Sequence, residues 1–461
     1  MKSVRIGPTL ILALTIQTGC GGDNPPVTPT AAASLAFVSQ PTEALEKIPL
    51  APVRVQALDA AGKPATAPVD ITIEVIARGA AVPFAGTKNL TTRNGVASFT
   101  DLGIETPGRG FTLVARAPGL PAVTSQAFDV FIRFKQVSSG GTTTCGLTYD
   151  NVTWCWGDNS LSRLGVGDDV SRSAPARLLG NFRFDTITVG GIQQCGRVAS
   201  NDVFCWGGRH PTPTPVAGYK FTWVSSGSGS CGIATNGSLQ CWNGPEGAAV
   251  ITPTLRGAGP YRIGATDLYI CAIAPDQQAY CMGGNERGEL GFTGPGADKF
   301  TQPVSNVRLT NISPAIHHAC GLDAGGIAWC WGDNRYGQLG AGSTAEFSAT
   351  PLRVGAASNL RFRSVSTGSL HTCGLATDGT GWCWGWGDDA ELGNGGTGRT
   401  NVPVRVTAPV PFVVLSTGGY HACGIGTNGF TYCWGENLNG EVGDGTTTNR
   451  STPQRVLAPP S

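Results

Sequence analysis

Seven times in this chain two cysteines stand with nine residues between them. The pairs are Cys145 and Cys155, Cys195 and Cys205, Cys231 and Cys241, Cys271 and Cys281, Cys320 and Cys330, Cys373 and Cys383, and Cys423 and Cys433. Within each pair an apolar run is followed by a polar turn and then, in most repeats, by an aromatic strand, as in CGLDAGGIAWCW from Cys320 to Trp331. That is a β-hairpin in outline. Residues facing one another on antiparallel neighbours have Cα atoms within disulfide reach, so one fixed offset across a short turn predicts seven stapled hairpins. The fifteenth cysteine, Cys20, has no counterpart.

Among 461 residues, 67 glycines, 31 prolines, two methionines and 14% charged residues point to short strands joined by tight turns, in more than one domain. The expected class is all-β. A formal net charge of +1 supplies no basic footprint, so nucleic acid is not expected as a partner, and no acidic tail is present. Fourteen cysteines in equal pairs suit an oxidising compartment. Zinc is the lesser reading: His318, His371 and His421 precede a first cysteine by two residues, but in three repeats only. No further ligand recurs, and a tetrahedral site needs four. No metal and no cofactor is expected.

Residues 1–20 read as an export signal, with Lys2 and Arg5 ahead of the apolar run Leu10–Ile16, which is too short to span a bilayer. The run ends in Thr18, Gly19, Cys20 and Gly21, which resembles a lipoprotein box, with Gln17 where such boxes usually carry Leu. The resemblance implies lipid on Cys20 and a cell-envelope or surface location. The alternative is ordinary cleavage and secretion. Residues 21–33 are a Pro/Thr/Gly linker. From 34 to 132 the texture is alternating and cysteine-free: Val53, Val55 and Ala57 interleave with Arg54 and Gln56, and Ile71, Ile73 and Val75 with Thr72 and Glu74. Some seven short strands are expected, as in a β-sandwich. The segments PVRVQALDAAGKP, NGVASFTDLGI and GFTLVARAPGL resemble bacterial immunoglobulin-like domains of surface proteins, which implies a spacer module.

From 134 to 457 the hairpin recurs in a larger unit. An apolar strand ending in Ser/Thr and Gly comes first, then the hairpin, a Gly/Asp/Asn turn, a Gly-x-Leu-Gly loop and a closing extended piece such as Pro403–Val406. Four strands per unit at a period of roughly 40–50 residues predict a β-propeller. The pattern (His)-x-Cys-Gly-Leu, Cys-Trp-Gly-Asp-Asn-x-x-Gly-Gln-Leu-Gly resembles the repeat of the regulator of chromosome condensation family, which implies seven blades. The signal is strong in repeats 1, 5, 6 and 7, whereas after Trp206 and Trp242 the Gly-x-Leu-Gly segment is missing. Two expectations follow from this phase. The strand near Pro453–Leu457 should close the ring by joining the sheet opened by Phe134–Ser138, and blades 2 and 3 should leave a notch on the loop face.

The residue after each second cysteine is Trp156, Trp206, Trp242, Met282, Trp331, Trp384 or Trp434. A position filled alike in nearly every repeat reads as packing between blades rather than as a stacking surface for a ligand. The loops GVGDDVS, GNGGTGRT and GDGTTTNRS lack the carboxylate spacing of a calcium loop. No nucleophile stands with a base, so no catalytic residue is assigned and no enzymatic activity is expected. The preferred function is binding of an unidentified protein or surface ligand through loops on the stapled core. The alternatives are an extracellular polysaccharide lyase or hydrolase and, from a secreted branch of the propeller architecture, a β-lactamase-inhibitor-like binder. The family's nucleotide exchange on a chromatin-bound GTPase fits neither export nor paired cysteines.

Overall fold

A computed structural model describes residues 28–227, 229–242, 262–266, 268–300 and 303–460. The signal segment, Cys20 and residues 21–27 of the linker lie outside the described residues. From Ser34 to Phe131 there are twelve strands, several of two or three residues, where the sequence suggested about seven. A three-stranded sheet holds Ser34–Ser39, Val53–Leu58 and Val96–Phe99, and a seven-stranded sheet is centred on Gly108–Arg116 and Asp70–Ala77. The alternation read from the sequence decides which side faces in: Val53, Val55, Ala57, Ile71, Ile73 and Val75 are buried in a core shared by the two sheets.

The remainder forms seven antiparallel sheets whose inner strands follow one another around a ring. Blade 1 runs Phe134–Ser139, Thr143–Thr148, Thr153–Gly157 and Arg172–Arg177 from the axis outwards, and blades 2, 5, 6 and 7 repeat this order. Blade 4 has three strands and two isolated bridges, Tyr280 with Pro303 and Gly283 with Ala297. In blade 3 three strands are described, and the segment after Trp242 falls outside the described residues.

Every cysteine pair expected from the spacing is in direct register across its hairpin and disulfide-bonded. Cys145 is joined to Cys155, Cys195 to Cys205, Cys231 to Cys241 and Cys271 to Cys281. In the last three blades Cys320 is joined to Cys330, Cys373 to Cys383 and Cys423 to Cys433. The paired Cα atoms are 4.0–4.1 Å apart throughout. A loop of this length contributes about 2–3 kcal/mol per bridge in the chain-entropy description. Replacing Cys320 and Cys330 together by Ala should therefore lower stability by an amount of that order, read from denaturant unfolding without reductant. An unchanged midpoint would show that neighbouring blades alone hold the hairpin.

Packing within and between blades explains the motif letters. The glycine after the first cysteine leaves room for the ring that opens the blade: a Cβ on Gly146 would lie 2.4 Å from Phe134, and one on Gly374 2.5 Å from Phe362. The last glycine of Gly-x-Leu-Gly does the same for the next blade's tryptophan, since a Cβ on Gly340 would stand 2.6 Å from Trp384. Its φ of +65° also suits glycine, so the turn and the close approach coincide.

A second seam runs near the axis. In six repeats the residue opposite the first cysteine is Ser or Thr, and in each case its oxygen accepts the N–H that begins the corresponding turn of the following blade. Val189 N donates to Ser138 Oγ at 3.2 Å, Ser226 N to Thr188 Oγ1 at 3.2 Å and Ala265 N to Ser225 Oγ at 3.1 Å. Thr367, Thr417 and Ser139 donate likewise to Ser313, Ser366 and Ser416. Between blades 4 and 5 both halves are absent together: Gly264 has no hydroxyl and Pro314 no N–H. No buried polar group is stranded there.

The ring does not close as expected. Arg450–Arg455 pairs with Thr431–Gly435 inside blade 7, and blade 1 has its own outer strand, so no strand is exchanged. In the four-stranded blades, 1 and 7 among them, the chain enters at the axis and leaves at the rim, which puts both propeller ends at one blade boundary. Closure falls to the seam contacts: Ser139 N to Ser416 Oγ at 3.0 Å, Gly419 N to Gly140 O at 3.0 Å and Trp156 Nε1 to Glu441 O at 2.9 Å. The N-terminal unit sits on the hairpin side of blades 1 and 7. Lys47 Nζ lies 2.7 Å from Asp150 Oδ2, Arg455 pairs with Glu43, and Phe131 meets Phe430 edge-on at 5.3 Å.

Candidate binding surface

The strand order gives the ring two unlike sides. One carries the short hairpin turns and the rim-to-axis connections; the other carries the Gly-x-Leu-Gly loops. On the loop side the framework is regular. Asn334 Oδ1 accepts Leu339 N at 3.2 Å while its Nδ2 donates to Ser343 O and Ala345 O, so a buried amide fixes the loop. Asn159, Asn285 and Asn437 repeat this arrangement. The loops of blades 4, 5 and 6 are then clamped by the next blade: Trp331 Nε1 donates to Glu289 O at 2.8 Å, Trp384 Nε1 to Gln338 O at 2.9 Å and Trp434 Nε1 to Glu391 O at 2.9 Å. These tryptophans are fully buried, as the packing reading required. Trp206 and Trp242 have no such partner; for Trp242, blade 2 lacks the loop, whereas Trp206 stands unpaired beside the loop of blade 1.

What the framework leaves over is the pair of residues after each Asn position, which differ from blade to blade: Arg335 and Tyr336 in one, Asp388 and Asp389 in the next, Leu438 and Asn439 in the last. Over blades 5 and 6 Tyr336 and Asp388 join Trp386 and Arg399 in a patch. Tyr336 meets Trp386 edge-on at 4.9 Å, and the Arg399 guanidinium lies 4.0 Å from the Trp386 ring centre and 4.8 Å from that of Tyr336. Arg399 Nη2 is held 3.0 Å from Asp388 Oδ2. Beside them a cavity of about 360 Å³ is lined by Arg335, Tyr336, Ser343, Arg399 and Asn401. Tyr, Trp and Arg fixed by one another in a partly exposed cluster are the side chains that dominate protein–protein contacts.

Buried carboxylates stand at the x of Gly-x-Leu-Gly or its equivalent in three blades: Glu289, Glu391 and Glu441. Burial, reinforced by Asp389, pushes Glu391 up to about 8, and burial also raises Glu441 and Glu436. In the folded chain Glu391 keeps a proton that the unfolded chain has lost between its usual 4.5 and about 8, so its stabilisation is complete below about 4.5 and is lost as pH rises towards 8. Glu391→Gln should therefore flatten the fall in stability above pH ~6.5. Melting temperatures of the two proteins that fall in parallel across that range would contradict this.

The histidines weighed as metal ligands lie between blades. His318 Nε2 is 2.9 Å from Thr372 Oγ1 and His421 Nε2 2.6 Å from Thr144 Oγ1, with the threonine in the next blade each time. Burial lowers His318 and His421 to about 3 and His371 to about 4, so all three are neutral near pH 7. Their folded values lie below the usual 6.5, so they add stability as pH rises from about 4 to 6.5, opposite in sign to Glu391. The cysteines beside them are closed to a metal by their own bonds. Cys155, Cys205, Cys241, Cys281, Cys330, Cys383 and Cys433 on the third strands and their partners on the second form a buried disulfide layer inside the blades. Blade 2 is low on the loop side, with two residues between Gly207 and His210, and blade 1 leans onto it through Arg209 N to Leu161 O at 3.0 Å. The blade 3 half of the expected notch lies outside the described residues.

Charge is segregated, which a net charge of +1 conceals. Among the described residues of the propeller, the hairpin side carries eleven Lys and Arg against six Asp, and the loop side eight against fourteen Asp and Glu. Among those residues Arg177, Arg183, Arg361, Arg363 and Arg405 on the hairpin side form no ion pair.

The Regulator of chromosome condensation (RCC1) repeat matches residues 325–375 and 378–425, and a second description of that repeat matches 134–162 and 362–390. The ring carries RCC1 repeats. Prp20p from Saccharomyces cerevisiae, a yeast RCC1, superposes with a TM-score of 0.61 at 18% identity, over 67% of this chain and 87% of its own. That likeness establishes an RCC1-like propeller fold. By sequence the chain is 33% identical to the Ultraviolet-B receptor UVR8 of Arabidopsis thaliana over 135 residues, 28% of this chain and 30% of that one. It is 26% identical to the human E3 ubiquitin-protein ligase HERC2 over 293 residues, 62% of this chain and 6% of that one. The chain thus spans less than a third of the length of either relative. In the RCC1-type ring described here the tryptophan clamps and asparagine-held loops are framework, and the residues between them are free to vary.

Proposed function

We propose that this chain is an exported binding scaffold: lipid on Cys20 holds it in the cell envelope, residues 34–132 act as an immunoglobulin-like spacer, and the RCC1-type propeller presents its loop side to a protein partner. The observation that carries the reading is the cluster of Tyr336, Trp386 and Arg399, built from residues the repeat does not need for folding and rich in the side chains that anchor interfaces. Seven disulfides support export, because such bonds persist in oxidising compartments. Prp20p, whose structure is described together with its binding to Gsp1p and histones, supports protein binding as the use of such a ring. The acidic surplus on the loop side favours a partner with a basic surface.

The test is affinity capture from an envelope extract with the wild-type chain and with the double variant Tyr336→Ala, Trp386→Ala. One protein retained by the first and lost from the second, with unchanged thermal midpoint, is the expected result. Equal retention by both sinks the loop-side assignment. Mass spectrometry of the envelope protein tests the anchor, which requires a diacylglycerol adduct on Cys20.

A further inference from the structure

Aligning the repeats on their first cysteine exposes a second set of departures, inside the ring. The inner-strand residue at the axis near the hairpin side is Gln136 in blade 1, Thr186 in blade 2, Ser364 in blade 6 and Val414 in blade 7, and Arg262 and Asn311 hold the same register in blades 4 and 5. In blade 3 it is Trp223, which is 45% exposed. Among the described residues it is the one tryptophan so exposed, and its Nε1 donates to Ile263 O at 3.1 Å, which fixes the ring in place. The neighbouring departure is Arg197, two residues after a first cysteine, where the other described repeats bury Leu147, Ile233, Ile273, Leu322, Leu375 and Ile425. Its guanidinium is closed in an ion pair with Asp185 at 3.0 Å and donates to Thr222 O.

Gln136, Thr186, Arg197 and Trp223 line the hairpin half of a chamber of about 430 Å³ in the channel. The size is that of a small-ligand site. Arg197 is the one charged side chain among the described wall residues, and it is paired with Asp185. Around Trp223 the wall is hydroxylic. Ser138, Thr188, Ser225 and Ser416 each accept a backbone N–H from the next blade and retain an O–H to donate inwards. A flat, fixed aromatic face beside a ring of neutral donors, with no carboxylate among the described wall residues, matches a ligand having one C–H face and many hydroxyl acceptors.

We propose that this chamber binds a neutral saccharide of one or two residues, stacked on Trp223. The site is separate from the loop-side cluster, on the opposite half of the ring, and stands whether or not that cluster binds a protein. It is a binding site and not a hydrolytic one, since the wall offers no pair of carboxylates to flank a glycosidic bond.

The experiment is saturation-transfer NMR with calorimetric titration of the full disulfide-bonded chain, using cellobiose, maltose and N,N′-diacetylchitobiose as neutral probes and digalacturonate as the charged one. At least one neutral probe should saturate. Trp223→Ala should weaken it about tenfold or more, Trp223→Phe should weaken it less, and Tyr149→Ala on an exposed hairpin should leave it unchanged. Near-ultraviolet dichroism and the thermal midpoint confirm that each variant is folded. No saturation by any neutral probe, affinity unchanged in Trp223→Ala, or a preference for digalacturonate would overturn the proposal.

Discussion

Trp156→Ala lowers the stability of the folded chain by about 3–5 kcal/mol, the range for removing a large buried aromatic. The side chain is 0% exposed, packs where blade 7 meets blade 1, and satisfies Glu441 O at 2.9 Å. It also bears more than its equivalents do, because the chain itself does not run from one blade to the next at this seam. Trp242→Ala is the control: its Nε1 has no acceptor, so the loss there comprises packing alone and is smaller. Denaturant midpoints with unchanged m-values give the comparison. Should Trp156→Ala cost no more than Trp242→Ala, the clamp at the closing seam is not what holds the ring.

The second large effect is a rescue. A Cβ on Gly264 would lie 2.3 Å from Pro314 Cδ, so Gly264→Ser forces the two blades apart, at about 1–3 kcal/mol for an overpacked contact. Pro314→Thr alone creates a buried N–H with nothing to accept it, again about 1–3 kcal/mol. Together the two changes rebuild the hydroxyl-to-amide contact of the other six seams, and the double variant should be close to wild type. A coupling energy of about 2 kcal/mol or more is expected from the cycle. Additive losses would show that the blades 4–5 seam is spaced differently from the rest.

The hairpins were legible because a disulfide is a distance constraint written in the sequence: a constant offset left one geometry for Cys145 with Cys155 and for the six equivalent pairs. The burial of the tryptophans was legible for a related reason, since a residue kept through unlike loops has a job common to all blades. The glycines were half legible. Gly340 stands in the Gly-x-Leu-Gly loop and reads as a turn, but the glycine that follows the first cysteine in six repeats has no turn to make; Gly146 and Gly374 are there because Phe134 and Phe362 lie across them, a contact between strands that letters do not show. The loop-side cluster was hidden because Tyr336 and Arg399 are far apart in the chain and meet only when blades 5 and 6 are set side by side. Charge segregation was hidden by its own symmetry, opposite surpluses on opposite sides summing to almost nothing. Trp223 could have been found: placing the repeats in register by their first cysteines sets it against Gln, Thr, Arg, Asn, Ser and Val.

Because each blade is one uninterrupted stretch of chain, from Phe134–Arg177 through Phe412–Arg455, a gene encoding this ring can gain or lose a repeat in a single in-frame event without leaving half a sheet behind. Rings closed by a borrowed strand lack that freedom at the join, where duplication must respect two distant pieces of the same sheet. Here the join is one more copy of an ordinary boundary. Ancestry in such a protein is counted in whole repeats, and the seam that joins last to first can migrate around the circle over evolutionary time.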